Sequence, residues 1–380
     1  MNAAHPTNLA SKGAPVSILV RGVNWLGDSV MTTPALLRLR EAFPKVRITL
    51  LAPEKLAGLW LGHPALDEAV TFKPGESPWV IGRRLRPRQY DLAVLFPNSP
   101  RSALEMWFAR IPERVGFARP WRNWLLTRAV ALPQTSVPMR KRSLAEIQRL
   151  TSPGASAAPC IAIPASAHQI HHYLHLTASL GANPAPTPPQ IQVSSEEVAT
   201  FLYRIGNKPH PWFGMVPGAE YGPAKRWPAE RFTAAAVEIQ RQTRCGWVLF
   251  GGGGDAAVTA HIAARLREQS QSANPCVDLA GATTLRELCA GLKACRLVLT
   301  NDTGAMHVAA AVGTPVVALF GSTSPEMTGP ALPGEAKHTC LSARVPCSPC
   351  FLRECPIDFR CMNGLTVEAV VQEVKRVFGK

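Results

Sequence analysis

Short apolar runs alternate with stretches of helical spacing along almost the whole chain. Val16–Val20, Arg47–Leu51, Leu92–Phe96, Trp212–Val216, Val248–Phe250, Arg296–Thr300 and Val316–Phe320 have the length and composition of buried strands. Helical patterns run over Ser29–Glu41, Arg101–Arg110, Ala229–Gln240, Ala256–Gln269, Gly304–Val312 and Val367–Phe378. Strands joined through helices run parallel, because each connection must carry the chain back to the sheet's starting edge. The alternation breaks between about Thr177 and Lys208, where Asn183-Pro184-Ala185-Pro186-Thr187-Pro188-Pro189 suits neither helix nor strand. A chain of 380 residues has room for two such domains. The expected organisation is an α/β chain of two doubly wound, Rossmann-like domains facing a cleft. Residues 1–15 form a tail, 16–185 the first domain, 208–362 the second, and 363–380 a terminal helical segment.

Charge narrows the class of partner. The chain carries a formal +15, and residues 81–150 hold fourteen Lys or Arg against four Asp or Glu. Such a surface attracts phosphates, whether on a membrane, a glycolipid or nucleic acid; the alternative is a generally basic protein. No helix-turn-helix, zinc-finger or RNP pattern accompanies it, so nucleic acid is not the expected partner. No run of 18 apolar residues predicts a membrane span, and the first fifteen residues lack the apolar core of a secretory signal. The expected compartment is the cytosol.

In doubly wound sheets ligands bind outside the carboxyl ends of strands. The turns there carry the chemistry. Pro217-Gly218-Ala219-Glu220-Tyr221-Gly222-Pro223-Ala224-Lys225-Arg226-Trp227-Pro228 joins a strand to a helix, and its Lys225 and Arg226 suit an anion. Asp302-Thr303-Gly304, with His307 one turn on, opens another helix whose first amides could hold a diphosphate. Asp28 stands at a helix start, where it caps the helix or serves as a general base. Asn98, Ser99 and Arg101 follow a strand of the first domain, either as a turn or as a binding edge. Gly251 to Gly254 do not follow the dinucleotide fingerprint, and Asp255 either touches a ribose or caps the next helix.

Four of these stretches resemble glycosyltransferase family 9, the lipopolysaccharide heptosyltransferases. They are Asn24-Trp25-Leu26-Gly27-Asp28 with Thr33-Pro34, Phe96-Pro97-Asn98-Ser99, the 217–228 loop, and Thr300-Asn301-Asp302-Thr303-Gly304-Ala305-Met306-His307. They stand in family order across residues 16–320. The resemblance implies the GT-B fold, with the last helix crossing back to the first domain. It implies an inverting transfer of heptose from ADP-heptose to a heptose on a lipid A–Kdo core, with no cofactor required. Asp28 would be the base, and Lys225 would attend the leaving group. Lys225, Arg226, Asp255, Asp302, Thr303, Gly304 and His307 would hold the donor, and Asn98, Ser99 and Arg101 the acceptor. The enzyme would be cytoplasmic and peripheral at the anionic inner membrane. The readings that compete are another family 9 acceptor, or a non-catalytic nucleotide-sugar or nucleic-acid binder.

Ten cysteines remain. Cys160, Cys245, Cys276, Cys289 and Cys295 read mainly as small buried hydrophobes. Cys347, Cys350, Cys355 and Cys361, with Cys340 before them, crowd one stretch. A C-x-x-C pair followed by two more thiols suffices for a structural zinc, or the thiols are free.

Overall fold

The structure is a computed structural model describing residues 15–152, 163–206, 208, 210–269, 275–332 and 334–379. The expected tail (apart from Pro15) and Cys160 lie outside these residues. The described residues fall into two compact units. Up to Asn24, Thr32–Gln134 and Ile170–Pro186 belong to the first; Trp25–Met31, Thr135–Gln169 and Thr187 onward belong to the second. Residues 25–31 and 135–169 thus pack with the second unit, although the sequence pattern assigns them to the first.

The first unit is built on strands β1 (Ser17–Arg21), β2 (Arg47–Pro53), β3 (Glu68–Phe72), β4 (Leu92–Leu95), β5 (Glu113–Phe117) and β6 (Arg128–Val130). They form one sheet in the order β3-β2-β1-β4-β5-β6, parallel throughout. Strands β7 (Trp212–Val216), β8 (Gly246–Leu249), β9 (Cys276–Asp278), β10 (Leu297–Asn301), β11 (Val316–Phe320) and β12 (His338–Ser342) repeat that order in the second unit as β9-β8-β7-β10-β11-β12. Each sheet therefore reverses direction once, between β1 and β4 and between β7 and β10. A crevice opens at such a reversal because the flanking loops diverge to opposite faces. The four family-like stretches are the loops that leave β1, β4, β7 and β10.

In chain order the helices are α1 (Leu26–Met31), α2 (Thr33–Ala42), α3 (Pro78–Leu85), α4 (Pro100–Phe108), α5 (Leu144–Thr151), α6 (Gln169–Ala178) and α7 (Ser195–Arg204). Then follow α8 (Ala229–Thr243), α9 (Ala256–Gln269), α10 (Leu285–Ala294), α11 (Gly304–Ala311), α12 (Pro325–Thr328), α13 (Arg360–Asn363) and α14 (Val367–Phe378). The single helix expected over 29–41 is two. Pro34 has no N–H and its ring displaces the carbonyl four residues back, so the chain breaks at Thr32 and restarts with Pro34 in its first turn. Among the described residues no helix is long and apolar enough to cross a membrane.

The terminal helix corrects one expectation. Its Val370, Val371, Val374 and Val377 stripe is buried in the core of the second unit with Phe213, Phe232, Trp247 and Leu319. The apolar face that would have crossed back to the first domain is used here instead.

In the first unit an ion pair lies beneath the β1 and β4 loops. Arg21 and Glu105, both fully buried, meet at 2.6 Å. The guanidinium also stacks 4.4 Å over Phe72, donates to the Gly22 carbonyl, and reaches Asn24 Oδ1 at 3.1 Å. Removing one member would leave the other as an uncompensated buried charge. Glu105→Ala should destabilise the protein by about 3–5 kcal/mol in urea titration. A midpoint unchanged from wild type would show that the pair does not hold this unit.

Candidate active site

The β7 loop is braced at both ends by Asn301, the last residue of β10. Its amide donates to the Pro217 carbonyl at 2.7 Å, and its Oδ1 accepts from Trp227 N at 3.1 Å. Trp227 is itself buried and donates from Nε1 to the Leu365 carbonyl. Between these anchors the loop presents Lys225, whose Nζ lies 2.5 Å from Asp302 Oδ2 and 4.8 Å above the Tyr221 ring. Thr323, after β11, donates to the same Asp302 oxygen. An ammonium has three donors, so one bond to Asp302 fixes Lys225 and leaves two to direct elsewhere.

Asp28 joins this group through an unusually close helix contact. Residues 25–31 pack on α11, and a Cβ at Gly27 would lie 2.7 Å from His307 Cδ2. A Cβ at Gly304 would lie 2.8 Å from Leu26 Cβ. Neither position has room for a side chain at this separation. The close approach brings Asp28 within the fields of Lys225 and Asp302. Burial pushes its carboxyl up to about 6; Lys225 opposes the rise and Asp302 adds to it. The residue remains partly exposed. At pH 7 the group is mostly ionised, yet far more basic than an ordinary aspartate. That is the condition a general base needs.

His307 is buried in α11 and its Nδ1 has no partner among the described residues. Burial pushes its pKa down to about 4, so the ring is neutral at physiological pH. Thr303 caps α11, accepting from Met306 N at 3.4 Å. The positive end of that helix therefore opens beside Asp302.

Most of the other sequence-derived candidates have partners within their own units. Arg226 is exposed and turns back to the Ala219 carbonyl, bracing its own loop. Asp255 accepts from Gly252 N at 3.0 Å and covers Gly218, the local capping role. In the first unit Asn98 is exposed, and Ser99 caps α4 by accepting from Ser102 N. Arg101 bonds the Glu76 carbonyl and lies 3.6 Å from Glu105. Cys347, Cys350, Cys355 and Cys361 do line one small cavity, with Ser322 and Arg360, and none of the four is in a disulfide. Even so, no three metal-ligating side chains among the described residues are placed to hold an ion as they stand. The zinc reading therefore finds no preformed ligand set.

Sequence reasoning gave no role to Asn301, which stands in the family-like stretch 300–307, nor to Thr323 or Arg122. Thr323 lies in Gly321-Ser322-Thr323-Ser324, a small polar run after a strand, which was a usable signal. Arg122, in the first unit, is buried and donates to the Pro97 carbonyl at 2.6 Å; its Nε and Nη2 have no partner among the described residues.

Most of the chain is similar to known proteins. The profile of glycosyltransferase family 9 (heptosyltransferase) matches residues 79–359. The chain belongs to glycosyltransferase family 9. It is 32% identical over 331 residues to lipopolysaccharide heptosyltransferase 2 of Salmonella typhimurium, covering 83% of this chain and 85% of that one. To lipopolysaccharide heptosyltransferase 1 of Pseudomonas aeruginosa it is 26% identical over 355 residues, covering 89% and 87%. The solved structure of E. coli ADP-heptose LPS heptosyltransferase II superposes with a TM-score of 0.76 at 28% identity, covering 95% of this chain and 98% of that one. The family 9 fold, two parallel sheets of the same winding, is thus the fold of this glycosyltransferase.

The contact between α1 and α11 is open to a direct check. Gly304→Ala must push Leu26 away, and overpacking of this kind costs about 1–3 kcal/mol. The urea midpoint should fall accordingly. A variant as stable as wild type would mean that the two helices are not tightly apposed.

Proposed function

We propose that this family 9 glycosyltransferase transfers L-glycero-D-manno-heptose, with inversion, from ADP-heptose to the first heptose of the lipopolysaccharide inner core, carried on Kdo and lipid A. The observation that carries the chemical part is the cluster of Asp28, Lys225 and Asp302. Transfer requires loss of a proton from the acceptor hydroxyl as it attacks the anomeric carbon. Asp28 takes that proton. The bond to the diphosphate breaks in the same step, and negative charge develops on the departing ADP. Lys225 and the amino end of α11 at Thr303–Gly304 stabilise that charge more strongly in the transition state than in the ground state. Asp302 and Thr323 hold the ammonium in position, so little reorganisation is needed as the charge appears. Neutral His307 offers a hydrogen bond to the donor without adding a charge.

Acceptor choice rests on similarity. Identity of 32% to the Salmonella typhimurium heptosyltransferase 2, against 26% to the Pseudomonas aeruginosa heptosyltransferase 1, favours an acceptor that already bears one heptose. Asn98, exposed after β4, is the group of the first unit best free to meet it. A lipid-anchored acceptor places the enzyme at the cytoplasmic face of the inner membrane.

Two measurements check this. Incubation with ADP-heptose should add one heptose, by mass, to a lipid A–Kdo–heptose acceptor and none to lipid A–Kdo. Addition only to the heptose-free acceptor would give the other specificity, and no addition to either would remove the proposal. Asp28→Asn should keep ADP affinity in calorimetry while turnover falls by about 10²–10⁴; full turnover would exclude Asp28 as the base.

A further inference from the structure

Four tryptophans of the first unit face solvent. Trp79 in α3 is 49% exposed, Trp107 in α4 46%, and Trp121 and Trp124, in the loop between β5 and β6, 86% and 70%. Large aromatic side chains seldom stand in water without a partner, and grouped exposure marks a docking surface. The elements that carry them are neighbours. Ile81 and Leu85 of α3, Ala103 and Met106 of α4, and Leu125 of the loop share one buried cluster, so the three elements lie side by side over one face of the sheet.

The charge of this face is predominantly positive, although Arg84 pairs with Glu76 and Arg88 with Glu68. Arg83, Arg84, Arg86, Arg88, Arg101 and Arg110 are all exposed along it. The only acidic residue within α3, α4 or residues 118–127 is Glu105, which is buried against Arg21. Arg83, Arg86 and Arg110 have no carboxylate partner among the described residues. The Arg83 guanidinium sits 4.7 Å over the Trp79 ring, so cation and indole are presented together. Trp121 adopts a left-handed backbone (φ 66°), which a bulky residue adopts only at a cost. The neighbouring buried Arg122, bonded to the Pro97 carbonyl, holds the loop so that Trp121 points outward.

We propose that the outer face of α3, α4 and the 118–127 loop seats on an anionic lipid bilayer, with the indoles at headgroup depth and the arginines on lipid phosphates. Tryptophan is the side chain that gains most at a headgroup interface, since one edge is apolar and the N–H needs a partner. Arginine adds the attraction to a negative surface. This deepens the functional reading above, on which it rests for the need to meet a lipid-anchored acceptor; the surface itself is argued from the exposed residues alone.

Co-sedimentation of the full chain with vesicles tests it. Wild type should bind vesicles of equal parts phosphatidylethanolamine and phosphatidylglycerol, bind phosphatidylcholine vesicles weakly, and dissociate as salt rises. Trp121→Ala/Trp124→Ala should weaken partition by about tenfold or more. Both side chains are exposed, so the thermal midpoint should not move, and transfer to detergent-dispersed acceptor should match wild type. Undiminished binding by that variant would overturn the proposal. So would equal binding of wild type to phosphatidylcholine, or a shift of the variant from dimer to monomer in ultracentrifugation, which would make the face a contact between copies. Tryptophan-dependent, salt-sensitive binding without heptose transfer to any acceptor would remove the functional reading and leave the docking face standing.

Discussion

Two missing side chains determine where the Asp28 carboxylate can be. With hydrogen alone at Gly27 and Gly304, α1 presses onto α11 until neighbouring side-chain atoms occupy the space a methyl group would need. That contact draws residues 25–31 into the second unit and sets Asp28 beside Lys225 and Asp302. The sheet of the first unit delivers the segment; the packing of the second unit decides its place. Any larger residue at either position would separate the helices and weaken the coupling between the carboxylate and the lysine.

The electrostatics of the cluster follow from that geometry. Removing water raises the affinity of Asp28 for a proton, the nearby Lys225 lowers it, and Asp302 raises it again. The outcome, about 6, is strong enough to accept a proton and low enough to be empty at neutral pH. A carboxyl whose pKa is higher folded than unfolded favours the fold at low pH, and that contribution is lost as pH rises from the unfolded value of 3.8 through about 6. The loss is on the order of 3 kcal/mol, since each pKa unit is worth about 1.4. The fold tolerates this because Asn301 and the Trp227–Leu365 bond hold the opposing loop independently.

Much of this was legible in the sequence, for physical reasons. Buried parallel strands read as continuous apolar runs, so β1, β4, β7, β10 and β11 were recognisable within a residue or two. Loops at their carboxyl ends need glycine, proline and polar residues, so Asp28, Lys225 and Asp302 stood out. What the pattern could not carry was contact between distant segments. Nothing local says that Gly27 meets His307, that Asn301 braces a loop some eighty residues away, or that α14 belongs to the second core. Short or half-exposed elements such as β3, β6 and β9 have too little periodicity to register. The exposed tryptophans were invisible for the opposite reason, because an aromatic in a sequence reads as core until its surroundings are known. Asp255 and Ser99 illustrate a residual ambiguity: one side chain suits both a cap and a ligand, and the fold uses both as caps.

The pH dependence of kcat/KM most directly tests whether packing has tuned Asp28 for proton removal. Wild type should lose activity as pH falls through about 6, where the base takes up its proton. Lys225→Gln, which removes the charge that holds the carboxyl down, should move that limb to higher pH in whatever activity remains. The residual activity of Asp28→Asn should show no such limb. A limb that persists in Asp28→Asn, or that stays fixed when Lys225 loses its charge, would contradict the account.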